Sequence, residues 1–217
     1  MKQQSIAPKP RKKVVQAEPE IEVVSLRQRV LDAAVEALIE VGSAKTTTLE
    51  VQRRANVSRG ALLHHFPTLA DLLSSTVGEL VRRNELSVHA SAQKLEGTGD
   101  DLERAVRVLA LALAEPSYLA ELELWTVART DPDLRRALRP AEKGARSESD
   151  RVARSLFSSI GGHPEYATIT SLTVIFLRGL SVSGILGGSS RQRNQLIGDW
   201  VRMVKLLLKA PRQAGHQ

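Results

Sequence analysis

TTTLEVQRRANVSRGALLHHFPTLADLL, residues 46–73, carries the pattern that decides the fold. Thr47 and Glu50 have the T-x-x-E spacing of a capping box, which opens a short helix over residues 49–55. Asn56-Val57-Ser58 breaks it. Ser58 is placed to cap a second short helix over residues 59–66, and Pro67 ends that one. Thr68 and Asp71 repeat the capping pattern and open a long helix over residues 69–93. Two short helices joined by a three-residue turn predict a helix-turn-helix. In that motif the second helix enters the major groove of DNA while the first crosses the backbone. Val51, Ala55 and Val57 supply apolar anchors, and Ala61, Leu62 and Phe66 pack the second helix inward.

The outward side of the second helix then offers Ser58, Arg59, Gly60 and His64. Arg59 has the chemistry to neutralise a phosphate or read guanine. Gly60 leaves room for the sugar-phosphate chain, and Thr47 and Thr48 sit at a helix start, where free N–H groups favour phosphate. His64 and His65 are adjacent, about 100° apart on a helix, so they chelate poorly and no metal is expected.

Upstream, Leu26, Val30, Ala33, Ala37 and Val41 recur at helical spacing and Gly42 follows as a C-cap. Before them, residues 1–24 hold three prolines, the basic cluster Lys9-Arg11-Lys12-Lys13 and no helical period, and are expected to form a disordered basic arm. Downstream, helices are expected at about residues 100–115, 117–129, 132–157, 164–186 and 191–209. Glu96-Gly97-Thr98-Gly99-Asp100 is the clearest loop. The expected fold class is all-α: a helix-turn-helix domain over residues 25–75, a helical body over residues 76–210 and a disordered tail over residues 211–217.

Residues 26–75 resemble the DNA-binding region of the TetR (tetracycline-repressor) family. The resemblance rests on the Thr-rich start, Ala55-Asn56-Val57-Ser58 at the turn, Gly60-Ala61-Leu62-Leu63-His64-His65-Phe66 in the recognition helix, and Leu72-Leu73 beyond. It implies a dimeric transcriptional regulator, by default a repressor, that leaves a palindromic double-stranded DNA operator when a small-molecule effector binds the body. It also implies DNA contact at Thr47, Thr48, Ser58, Arg59, Gly60, Leu63, His64 and His65. Two positions depart from the family pattern. Leu63 stands where Tyr is usual and Leu69 where Lys is usual, so two phosphate contacts are lost; the basic arm, Arg53 or Arg54 could compensate.

In the body, Leu122, Trp125 and Arg129 share a helix side at i, i+3 and i+7, and with Phe176 they are the candidate ligand-binding residues. Arg129 either faces an acidic ligand group, or caps the helix C-terminus or pairs with Glu or Asp beside a core Trp125. Low aromatic content, 3%, suggests an aliphatic pocket. ELWTVARTDPDL, residues 123–134, also resembles a segment found in one broad group of this family. The family builds its dimer from the last two long helices, which implies an interface at Thr173, Leu177, Leu180, Gly184, Trp200, Val204 and Leu207. The alternative is a ligand-independent, architectural DNA-binding dimer with a fully packed body.

Composition narrows the rest. A formal net charge of +7 favours polyanionic partners. The chain has no cysteine, which excludes disulfides and thiolate chemistry and fits a cytoplasmic location. No run of about 18 apolar residues appears, so neither a membrane span nor a membrane partner is expected. No nucleophile elbow, phosphate-binding glycine loop or dinucleotide fingerprint is present, and His163 with Glu165 is a generic pair in a loop. No enzyme and no cofactor are expected.

Overall fold

The computed structural model describes residues 25–209; the basic arm, the tail and Lys9 to Lys13 lie outside the described residues. Nine α-helices occur among them, α1 Leu26–Val41, α2 Thr48–Ala55, α3 Arg59–His65, α4 Leu69–Lys94, α5 Asp101–Ala112, α6 Pro116–Ala128, α7 Pro132–Leu156, α8 Tyr166–Gly184 and α9 Ser190–Lys209. Short 3-10 turns sit at Ser43–Lys45 and Ser158–Ile160, and the described residues contain no strand.

Side chains rather than propensity set the helix starts. Ser25 accepts from the Gln28 N–H, Thr47 from Glu50, Ser58 from Ala61, Asp100 from Glu103, and Asp131 from Asp133 and Leu134. Thr68 and Asp71 form a complete reciprocal box at the start of α4. The matching box expected at α2 is only half made. Glu50 turns instead to Arg53 and Arg54, which hold its carboxyl down at about 2. Pro116 occupies the first turn of α6, where its missing N–H costs nothing.

Three apolar clusters follow from these helices. Val30, Ala34 and Ala37 of α1 close over Val51, Ala55, Leu62, Phe66 and Leu72 to form the head. Val35 and Leu38, on the other side of α1, pack with Leu73, Val77 and Leu80 of α4, Leu124 of α6 and Leu138 of α7. The third cluster joins Val106 and Leu109 of α5, Phe157, Leu177 of α8, and Val201 and Val204 of α9. α1 is therefore buried on two sides, and α4 runs from the head into the body. Leu69 touches both of the first two clusters. A lysine there would bury its stem in the head–body junction, which explains an apolar residue at that position.

α8 is long and apolar enough, by length and composition, to cross a membrane, contrary to the expectation from run length. Arg178 at its middle donates to the Tyr118 hydroxyl, and Thr173 and Leu177 are buried in the core, so packing ties it into the bundle.

Candidate nucleic-acid interface and ligand cavity

The tight turn of the head is made by Asn56, in the left-handed region at φ 52 and ψ 54, a conformation Asn tolerates. Leu62 and Phe66 point inward and are buried. Ser58, Arg59, Gly60, Leu63, His64 and His65 are all exposed along one edge of α3, next to exposed Thr47 and half-buried Thr48 at the start of α2. A Cβ built on Gly60 meets nothing within 4 Å, so that surface is open. Among the described residues Arg59 and Lys45 have no ion-pair partner, whereas Arg54 is held by Glu40 and Glu50 and Arg53 by Glu50. Of the two arginines that could replace a lost phosphate contact, Arg54 is committed to the fold. The His64 and His65 rings meet edge to face at 5.3 Å.

In the body, a two-lobed cavity lies between α4, α6, α7 and α8. Its inner lobe is about 80 Å³ and its outer lobe about 410 Å³, and both touch Glu121 and Arg178. Asn84 of α4 donates to Glu121 Oε2 at 2.7 Å and accepts from the Ser117 hydroxyl at 2.6 Å, bridging α4 to α6. Arg178 Nε donates to the Tyr118 hydroxyl at 2.5 Å, and its guanidinium carbon lies 5.0 Å from the Trp125 ring centre. Burial pushes the Glu121 carboxyl up to about 7; Glu142 adds to that, while Arg178 and the Asn84 bond oppose it. Burial likewise pushes the Tyr118 hydroxyl up to about 12.

The four ligand candidates from the sequence do not share one cavity, although Trp125 and Arg129 line a common shallow pocket. Trp125 lines the outer lobe. Leu122 lies in a groove with Leu38, Val182 and Ile185, and Arg129 is exposed at the C-terminal end of α6. Phe176 stacks on Trp200 at 5.0 Å, inside the α8–α9 packing. The cavity-facing stripe of α6 is instead Tyr118, Glu121 and Trp125, also at i, i+3 and i+7 but starting four residues, about one turn, earlier. Reading α6 by its apolar face missed a carboxylate on the buried side. The inner lobe is largely aliphatic, as low aromatic content suggested, with charged groups added at Glu121 and Arg178.

The interface candidates also divide. Thr173, Leu177 and Val204 are buried within the chain, with Trp200 Nε1 donating to Thr173 Oγ1 at 3.0 Å, so they are not available to a partner. Leu180 and Trp200 are half-buried, and Gly184 and Leu207 are exposed. The exposed apolar stripe is Leu172, Ile175, Val182 and Ile185 on α8 with Met203 and Leu206 on α9.

The model of the family described as "Bacterial regulatory proteins, tetR family" matches residues 30–76, the span from α1 through the first turns of α4. The head of the chain is TetR-like. An HTH-type transcriptional regulator of Mycobacterium tuberculosis is 32% identical over 110 residues, covering 51% of this chain and 56% of that protein. The chain thus spans about half the length of the curated relatives it matches. These relatives are transcriptional regulators rather than enzymes. The multidrug binding protein EbrR complexed with ethidium shares the fold at a TM-score of 0.61, with 24% identity over 86% of this chain and all of that one. A transcriptional regulator from Saccharomonospora viridis in complex with choline shares it at 0.58, with 19% identity over 81% and 95% of the two chains.

Besides the apolar packing of α1 on α6, a polar contact joins the TetR-like head to the cavity helix. Glu123 of α6 accepts from both the N–H and the hydroxyl of Ser43, at 2.7 and 2.6 Å, in the turn leading into α2. Gly42 before it has φ 75, and a Cβ there would lie 3.2 Å from the Glu123 carboxylate, so both conformation and space call for glycine. Glu123→Ala is expected to lower stability by about 2–3 kcal/mol, since two charge-assisted bonds are lost and a backbone donor is stranded. Glu123→Gln, which keeps one acceptor, should recover roughly half. Thermal unfolding of both variants checks this; equal stability of Glu123→Ala and wild type would show the contact to be idle.

Proposed function

We propose that the chain is a sequence-specific DNA-binding regulator, a repressor that works as a two-fold dimer and leaves a palindromic operator when a small molecule fills the body. The exposed edge of α3 carries this reading. Arg59 has no ion-pair partner among the described residues, Gly60 stands in open space, and capped helix starts offer N–H groups beside them. The domain division that supports it is a head over residues 25–75 and a body over residues 76–210. Thr47, Thr48, Ser58, Arg59, Gly60, Leu63, His64 and His65 are the proposed DNA contacts.

The apolar stripe on α8 and α9 supports dimerisation. Ile175 is 62% exposed and Leu206 69%, and neither has a partner within its own bundle sufficient to cover it. Gly179, with nothing within 4 Å of a built Cβ, lies between Ile175 and Val182 on the same side and lets a second helix approach closely. Ile175→Glu is expected to convert the dimer to monomer at micromolar concentration without loss of helical content. Sedimentation of this variant beside wild type checks it; a dimer that persists would place the interface elsewhere.

A dimer of this kind sets two recognition helices about one DNA turn apart, roughly 34–36 Å. Selection of bound duplexes from a random-sequence pool should therefore return inverted repeats. Selected sequences without dyad symmetry would oppose the reading. The cavity supports a sensor over the architectural alternative, because about 410 Å³ of outer lobe falls within the ordinary range for ligand sites. The EbrR and Saccharomonospora viridis complexes, with ethidium and choline, are consistent with effector binding in this fold.

A further inference from the structure

We propose that the body cavity is a site for an organic cation, an ammonium-type head carried on an apolar body, with Glu121 and Glu142 as its counter-ions. The inference rests on the regulator reading above only for its consequence, release from DNA; the site itself stands on the cavity. Among the described residues, the ionisable groups lining the two lobes are five acids, Glu85, Glu121, Glu142, Glu148 and Asp150, against two bases, Arg146 and Arg178. In a chain of formal charge +7 this is a local reversal of sign. Arg151 neutralises part of it by pairing with Glu85 and Glu148; of the three acids left, Asp150 is exposed, and Glu121 and Glu142 are the more enclosed carboxylates.

Neither is fully answered from within. Glu121 is 5% exposed and among the described residues has no ion-pair partner; Asn84 donates to one of its oxygens. Glu142 Oε2 is buried and makes no hydrogen bond, and its only ion pair among the described residues is with exposed Arg146 at 3.5 Å, made through Oε1. A buried carboxylate oxygen without a partner is costly; Glu121 is buried, Glu142 is about a third exposed with one buried oxygen, and a cation entering beside them relieves both. Arg178 plays that part only at a distance, its charge opposing the effect of burial on Glu121 without an ion pair between the two. It is engaged by the Tyr118 hydroxyl and the Trp125 face and forms no ion pair. Its position over the ring marks the Trp125 wall as one that receives cations.

The inner lobe supplies the other half of the ligand's chemistry. Val81 and Val88 of α4, Leu109 and Leu113 near the end of α5, and Val152 of α7 line it, next to the carboxylates. A cation at Glu121 also competes with Asn84 for that carboxylate, and so loosens the bridge that joins α4, the helix leading out of the head, to α6.

The test uses three probes with one body and different heads: 4-phenylbutylammonium, 4-phenylbutanol and 4-phenylbutyrate, titrated calorimetrically into the full-length protein at pH 8 without DNA. The expected order is ammonium tightest, alcohol weaker, carboxylate weakest, with about tenfold or more between the ends. Glu121→Gln and Glu142→Gln should each weaken the ammonium about tenfold and leave the alcohol unchanged. Equal or tighter binding of the carboxylate, no binding of the ammonium up to millimolar concentration, or ammonium binding insensitive to both substitutions would overturn the cation site. DNA binding is measured separately, without probe. Its failure with intact ammonium binding would remove the regulator reading and leave the site standing, and the reverse result would remove only the site.

Discussion

Glu121→Gln is expected to raise the melting temperature at pH 8 by up to about 10 °C while changing little at pH 4. The carboxyl is buried against Tyr118 and Asn84, with Glu142 on α7 and Arg178 on α8 as the charged groups facing it. Burial raises it from an ordinary 4.5 to about 7, so the folded chain holds a proton that the unfolded chain releases. The sign follows from that difference. The stability associated with the protonated group is fully present below pH 4.5, declines as pH rises, and is lost above about 7. The size is about 3 kcal/mol, at roughly 1.4 kcal/mol per pH unit of difference. Glutamine still accepts from Asn84 and carries no charge, so the variant should lack this decline. Melting curves of both proteins between pH 4 and pH 8 check it. Parallel curves would mean that Glu121 is solvated in a way the closed packing does not suggest. A residue that costs stability at neutral pH and is kept on the wall of a cavity has the character of a functional group.

Arg59→Ala is expected to weaken operator binding by at least about thirtyfold. Arg59 is the first residue of α3, exposed, without an ion-pair partner among the described residues, and next to open space at Gly60. One lost contact of about 1–3 kcal/mol in each half-site gives about 2–6 kcal/mol for a dimer. The pattern across sequences separates two roles. If Arg59 reads a base, the variant loses selectivity at one position of each half-site, and Arg59→Lys, which lacks the bidentate fork, does not restore it. If it neutralises a phosphate, binding weakens evenly, the salt slope falls by about one per site, and lysine restores most of it. An affinity equal to wild type would take α3 out of the groove.

What was legible in the sequence was whatever local chemistry controls. Thr47, Ser58 and Thr68 announce helix starts through their own side chains, and Gly42, Asn56 and Pro67 announce ends, so the head could be read almost residue by residue. Even there Glu50 departed, because Arg53 and Arg54 outcompete the backbone N–H for its carboxylate. The body was legible as helices but not as faces. Glu121 sits one residue from the apolar stripe that seemed to define α6, and only the positions of Asn84 on α4 and Arg178 on α8 make it a cavity residue. Thr173, Leu177 and Val204 were expected at a partner surface because they are regular and apolar or small. The α8–α9 packing uses that regularity internally and leaves Ile175, Val182 and Leu206 outside. Leu63 is exposed on the edge of α3 proposed to face DNA, and it carries no hydroxyl.

The most direct test of the regulator reading is binding of the purified full-length protein to the DNA upstream of its own gene, across a salt series, with sedimentation to fix the stoichiometry. One dimer per inverted repeat, bound selectively and with an affinity that falls steeply as salt rises, is the expected result. A monomer that binds all duplexes alike, or no binding at low salt, would contradict it.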